Sequence, residues 1–364
     1  MQVSKLALFI AAIILLLGVY GCEREIVNHV DAEENADCFT CHGDDDFALI
    51  AAQKEYAASV HAMGETYNRN RLNSSRYSSC EQCHTNEGFV ANVTGGEVAG
   101  DHFTNVSCFT CHAPHTTGSL GLRTTLAITL ENDATYDKGN SNICANCHHS
   151  RADVTTYVVD SVELSERYGP HHSNQSDMLV GENAYEYADY SYDNSYHSSG
   201  VVNGCLTCHM ASGIYNTGGH SFNMEGEDEG DEHFNVTGCN TELCHDGNMD
   251  DFNRTSSVDY DWDGEFEGVQ DEIAGLLDSL GILLVNAGVY DTATGLPIED
   301  VIVPDADTTG ALFNLLYVKE DRSMGVHNTA YAVGLLRSSI NYLDTGDPSG
   351  MAVGKLAYVI RNSH

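Results

Sequence analysis

The sequence predicts a mainly α-helical protein with much irregular loop, and three observations lead there. Twelve of its 13 cysteines fall into six close pairs, each ending in Cys-His. Between Cys22 and Asp250 no amphipathic run is long enough to supply an ordinary apolar core. After Asp250 the cysteines stop and apolar residues recur at helical spacing. We therefore divide the 364 residues into an export segment (1–21), a cysteine-rich domain (22–250) and a cysteine-free helical region that caps it (251–364).

Met1 to Lys5 is short and basic, and Leu6 to Tyr20 is uninterruptedly apolar but too short to span a bilayer; together they read as a secretory signal. Val19-Tyr20-Gly21-Cys22 follows. A small residue before cysteine at this point is similar to a bacterial lipobox, which makes Cys22 the candidate lipidation site. The expected location is the periplasm or the cell surface, on an outer-membrane lipid anchor. Removing residues 1–21 takes away Lys5 and no acid, so the formal charge of −38 becomes 15 − 54 = −39. Such an acidic chain lacks the basic footprint of a nucleic-acid binder. It suits a solvated surface, or one that steers a basic redox partner.

Five pairs read Cys-x-x-Cys-His: Cys38-Cys41-His42, Cys80-Cys83-His84, Cys108-Cys111-His112, Cys144-Cys147-His148 and Cys205-Cys208-His209. The sixth, "CNTELCH", pairs Cys239 with Cys244 and His245; it has two more residues between its cysteines but keeps the final Cys-His. Zinc needs four ligands and no histidine directly after each second cysteine. Disulfides within such units would staple almost nothing, and a thioredoxin-like setting is absent. Thioether attachment of haem needs this arrangement: two thiols for the vinyl groups and a histidine beneath the iron. We therefore expect six covalent haems c, with His42, His84, His112, His148, His209 and His245 as proximal ligands. In the sixth site Cys239 and Cys244 are the expected thioether pair, with only the loop between them enlarged. The porphyrins replace the missing core, and glycine-rich connectors such as Gly95-Gly96 and Gly218-Gly219 join short helices around them.

Of 18 histidines, twelve lie outside the motifs. Two histidines on one iron close it for electron transfer, whereas an open position admits substrate. The candidate distal ligands are His61, His102, His115, His171, His172, His197, His220 and His327. The pair His171-His172 is expected to supply one rather than two. Methionine shows no haem-linked spacing.

Beyond Asp250, Phe266, Val269, Ile273, Leu276, Leu277, Leu280 and Leu284 define one amphipathic helix. A second is predicted over Thr309 to Val318 and a third over Gly325 to Leu343, with His327 at its start. Gly295 to Asp307 reads as the intervening loop, and Val353 to Ile360 as a final short element of either type. The stretch "DYDWDGEFEGVQDE" places Asp259, Asp261, Asp263, Glu265 and Glu267 at alternating positions around Gly264, like the opening of a calcium loop. Its twelfth position is Gln270, and an acidic helix start would favour the helix dipole without any metal.

The segments "CHAPH", "GPHHSNQSDMLVG", "GCLTCHMASG…GGHSF" and "VHNTAYAVGLL" together resemble the multihaem c-type cytochromes around pentahaem nitrite reductase and octahaem hydroxylamine oxidoreductase. The resemblance runs from Cys38 to the His327 segment. It implies a multihaem cytochrome c architecture with haems stacked in parallel and perpendicular pairs. The Cys-x-x-Cys-Lys motif usual in pentahaem nitrite reductases does not occur here, so the resemblance does not extend to their catalysis. The expectation is an electron relay with other cytochromes or redox proteins as partners. The alternatives are a nitrite- or hydroxylamine-type oxidoreductase with one open haem, and a subunit of a cytochrome filament.

Overall fold

The computed structural model describes residues 47–64, 80–98 and 103–350. Cys22, Cys38, Cys41, His42, His102 and the 353–360 segment lie outside the described residues. Among the described residues five helices exceed two turns: α1 (Phe47–Ala57), α2 (Asn86–Thr94), α3 (Val269–Asn286), α4 (Ala306–Asp321) and α5 (Thr329–Thr345). No helix among the described residues is long and apolar enough to cross a membrane.

Between α2 and α3 the chain uses helical turns of four to six residues, joined by loops and short antiparallel pairs of strands. Four of the five described motifs sit on such turns: Glu81–His84, Cys108–Cys111, Asn142–Ala145 and Gly204–His209. The Thr85 hydroxyl closes the first of these and opens α2, accepting from Gly88 N at 2.9 Å. Leu130, Tyr136, Ala145 and Leu179 form a small apolar cluster here, and it is the lesser of two.

The larger core is built on α3, α4 and α5, which pack against one another. In α3, Ile273, Leu276, Leu280 and Leu284 line one face and are fully buried. That is the i, i+3, i+7 stripe seen in the sequence. Phe266 is 62% exposed and precedes the helix, so it is not part of that stripe. Helix α4 is covered on all sides from Thr309 to Val318, and Asp305 caps its start by accepting from Thr308 N at 2.7 Å.

The third helix starts later than the periodicity suggests. Asn328 takes the cap position and Gly325 has a φ of +86°, so His327 lies on the loop before α5 rather than on the helix. The 295–307 connection also contains two short strands, Leu296–Pro297 and Ile302–Val303. The second pairs antiparallel with Val162–Glu163, so it ties the helical region to the cysteine-rich one.

A tyrosine-rich loop from Tyr168 to Tyr192 joins the same core. Tyr317 donates to Glu182 O (2.7 Å), Tyr187 to Asp307 O (2.9 Å) and Tyr331 to Glu186 Oε1 (2.9 Å). Asn314, fully buried in α4, bonds both N and O of Tyr185. Gly310 is required there, since a Cβ would stand 2.1 Å from the Tyr185 ring. Truncating this packing should be costly: Leu280→Ala is expected to lower stability by about 2–5 kcal/mol. A denaturation series on the full chain, followed by far-UV circular dichroism, measures it.

Candidate functional site

The described motif histidines each face one other histidine. Ring centres are 6.1 Å apart for His148 and His61, 6.3 Å for His84 and His171, and 6.3 Å for His112 and His220. They are 6.3 Å apart for His209 and His327, and 6.2 Å for His245 and His197. An imidazole nitrogen binds a transition metal at roughly 2.0–2.1 Å and lies about 1.1 Å from its ring centre. Two rings on opposite sides of one metal therefore have centres about 6.2–6.4 Å apart. Packed aromatic rings such as Phe313 and Tyr317 also stand 6.1 Å apart, so it is the recurrence at every described motif histidine that sets these pairs apart; the adjacent His171 and His172 are 5.4 Å apart.

Ring orientation fits the same use. Nδ1 of His112 donates to Leu120 O (2.7 Å), of His209 to Phe222 O (3.0 Å) and of His197 to Val326 O (2.7 Å). Nδ1 of His148 meets Gln175 Oε1 (3.1 Å), of His171 Ser173 Oγ (3.1 Å) and of His327 Asp321 Oδ1 (2.6 Å). A carbonyl oxygen can only accept, so the proton sits on Nδ1 and the Nε2 lone pair is left for a metal. Burial, with His148 alongside, pushes His61 down to about 4, and burial also lowers His209 and His245. Neutral rings are the form that binds metal.

Four of the described motifs share one closing bond. His84 N donates to Cys80 O (3.0 Å), His112 N to Cys108 O (2.9 Å) and His148 N to Cys144 O (3.0 Å). In the long motif His245 N donates to Cys239 O at 3.0 Å. The bond is kept across six residues rather than four, so the two extra residues are looped out.

The loop has a local structure of its own. Cys239 is half-buried, whereas Cys244 is exposed and follows Leu243, which is 93% exposed. Cys244 N donates to Thr241 O at 3.0 Å, a turn of its own inside the motif. Cys108 in a regular motif is exposed as well, and the insertion leaves the His245 backbone bonded to Cys239 O as in a regular motif.

Cysteines of different motifs also meet. The side chains of Cys83 and Cys147, of Cys144 and Cys205, and of Cys208 and Cys239 lie beside one another. The second motif is thus beside the fourth, the fourth beside the fifth, and the fifth beside the sixth. No disulfide joins the described cysteines.

Elements remote in sequence hold the partner rings. The Ser59 hydroxyl caps the turn carrying His61, and Asn105 donates to Ala62 O at 3.1 Å. Gly218, at φ +66°, turns the chain before His220; a Cβ there would stand 1.9 Å from Ala211 O. Glu55 Oε2 accepts from His220 N at 2.9 Å and lies 3.7 Å from its Nδ1. Asn328 grips Ser195 N, Asn194 and Met178 O, which joins the His327 loop to the His197 turn.

Other candidates stand apart. His172 is turned outward, 66% exposed, against Glu320. Of the adjacent pair, His171 alone faces a motif ring. His115 is exposed beside the Phe109 ring. Gln175, Val326, Asn328 and Asp321 were not visible as site residues in the sequence. Asp321 alone had a faint signal, an acid six positions before a candidate ligand.

The acidic loop folds into two overlapping clusters, Asp259–Asp261–Glu272 and Asp261–Asp263–Glu267, whose oxygens lie within 4.8 Å of one another. Arg337 of α5 anchors the loop, donating to Tyr260 O (2.7 Å) and Asp259 O (2.8 Å) and stacking on Trp262. Glu265 is exposed and belongs to neither cluster, and Gln270 turns away to donate to Ser323 O. Glu272, buried in the first turn of α3, was missed because helix position rather than loop spacing brings it in.

No family model and no curated protein matches the sequence. Among solved structures the chain is similar to outer cell wall cytochrome OcwA, with a TM-score of 0.49 and 21% identity over 80% of this chain and 50% of that one. It spans half the length of that protein.

One buried acid near the fourth motif has a pH signature. Burial pushes the Asp177 carboxyl from 3.8 up to about 7, against hydrogen bonds from Ser150 N and Asn183 Nδ2. The unfolded chain ionises first, so stability should fall as pH rises from about 4 to about 7 and then level off. Asp177→Asn should flatten that fall, as denaturation midpoints across this range will show.

Proposed function

We propose that the chain is an exported multihaem c-type cytochrome that relays electrons through six bis-histidine haems. The observation that carries this reading is the spacing of 6.1–6.3 Å between each described motif histidine and a second histidine. Covalent haem supplies one-electron exchange between ferric and ferrous iron. The chain's own residues do the rest. Paired thiols anchor each group, Cys239 and Cys244 in the long motif included. His84, His112, His148, His209 and His245 hold one face, and His171, His220, His61, His327 and His197 hold the other. With both faces closed, these centres suit electron transfer rather than substrate binding. The contacts between Cys83 and Cys147, Cys144 and Cys205, and Cys208 and Cys239 support a continuous path between neighbours.

The first motif, Cys38-Cys41-His42, is proposed to hold the sixth group, with His102 or His115 on its far side. Cys22 is proposed as a lipid anchor holding the protein at an outer-membrane surface or in the periplasm. The acidic surface favours a redox partner with a basic face. Intact mass of the full-length protein should correspond to six haems, with a wholly low-spin oxidised spectrum. His245→Ala should cost one low-spin centre. A mass for five, or a high-spin signal with nitrite or hydroxylamine turnover, overturns the reading.

The acidic loop is proposed to hold calcium in a structural role through Asp259, Asp261, Asp263 and Glu267, with Glu272 in place of a twelfth-position ligand. Supporting this, Asp259 Oδ1 is buried without a hydrogen-bond partner. Calorimetric titration should show calcium binding that Asp261→Asn abolishes; no heat with the native chain rejects it.

A further inference from the structure

We propose that Asp321 tunes the centre held between His209 and His327, lowering its reduction potential through the distal ring. This rests on the haem reading above and adds a residue that the motifs do not contain.

Asp321 is the last residue of α4, and its side chain is wholly buried. Arg322 then adopts a left-handed conformation, with a φ of +62°, and the loop curls back to bring His327 over the end of the helix. Asp321 Oδ1 accepts from His327 Nδ1 at 2.6 Å, and Oδ2 accepts from the Ser323 hydroxyl. Ser323 Oγ in turn accepts from His327 N at 3.1 Å, so backbone and ring are fixed together. Both carboxylate oxygens are occupied, and the ring has one orientation, with Nε2 facing the His209 side.

Six other described ligand rings are served differently. His112, His197 and His209 donate to neutral backbone carbonyls, His148 meets a neutral amide and His171 a hydroxyl. The nearest comparison is Glu55 beside His220. That pair is 3.7 Å apart, with side chains 41% and 34% exposed, so solvent weakens it. A buried carboxylate on Nδ1–H makes an imidazole a stronger electron donor. It also stabilises the more positive ferric form over the ferrous one, and the carbonyls at the end of α4 add to that field. Each transfer moves one electron on or off the iron, and the Nδ1 proton stays on the ring, so no proton needs to be exchanged.

The position gives the effect a consequence. Through Cys205 the fifth motif touches the fourth, and through Cys208 it touches the sixth. A lowered potential there creates an uphill step in mid-relay, across which electrons pass without accumulating.

The test uses the full-length holoprotein and spectroelectrochemical titration. Asp321→Asn should move one midpoint potential upward and leave the others and the low-spin count unchanged. Asp321→Glu should restore most of the original value, and Glu55→Gln should produce a smaller upward shift. Ser323→Ala removes the competing donor to the carboxylate while keeping its charge, so the same midpoint should move downward. Unchanged potentials in Asp321→Asn, or an unchanged or raised midpoint in Ser323→Ala, overturn the proposal. Failure of the haem reading itself would show separately, in the intact mass and spin state of the unmutated protein.

Discussion

Two imidazole rings held about 6 Å apart, on opposite sides of a gap, are hard for a folded chain to arrange. Each ring must be held from behind and each must come from a different segment. Here that constraint recurs at His148 and His61, His84 and His171, His112 and His220, His209 and His327, and His245 and His197. Much of the irregular structure follows from it. The short helical turns present one ring each, and the loops between them are anchored where a second ring has to stand. On the proposed reading, the metal and its porphyrin complete the gap and act as the core that the sequence between Cys22 and Asp250 does not provide.

The helical region contributes more than stability. Its three helices form the main apolar core, but the loop between α4 and α5 reaches into the paired-histidine region. Within three consecutive residues, Val326 accepts from His197, His327 faces His209, and Asn328 ties down the 194–195 segment. Two neighbouring ring pairs are thus set by one short loop, itself held by the ends of two packed helices. Rigid helices make this effective, because a loop pinned at both ends has few ways to shift the rings it carries. The tyrosine-rich segment completes the coupling, since its hydroxyls rivet 182–192 onto α4 and α5.

Much of this was legible in the sequence because it depends on local spacing. The Cys-x-x-Cys-His pattern is a single helical turn, so its geometry travels with the motif. "CNTELCH" keeps the closing bond, from His245 N to Cys239 O, in spite of the insertion. The exposure of Cys244 was not legible, because it depends on which way the inserted residues bulge. The stripe at Ile273, Leu276, Leu280 and Leu284 announced α3 because its period is local too. The start of α5 was misjudged because the apolar period continues through Gly325 and His327, while the cap at Asn328 and the turn at Gly325 interrupt the helix.

Which rings meet could not be read from spacing. His61 precedes the second motif yet faces the fourth. His171 follows the fourth yet faces the second, and His197 passes over the fifth to reach the sixth. Each such pairing closes a long loop, and its partner is chosen by where both segments are anchored in three dimensions. The same holds for Asp321 and Glu272, whose roles come from a helix end and a helix start. Sequence by itself determined the spacing of thiols and histidine in each motif and the supply of spare histidines, because both are local properties of the chain. Only the tertiary structure decided which histidine serves which motif and which charge stands behind it, because those contacts join segments that the chain keeps far apart.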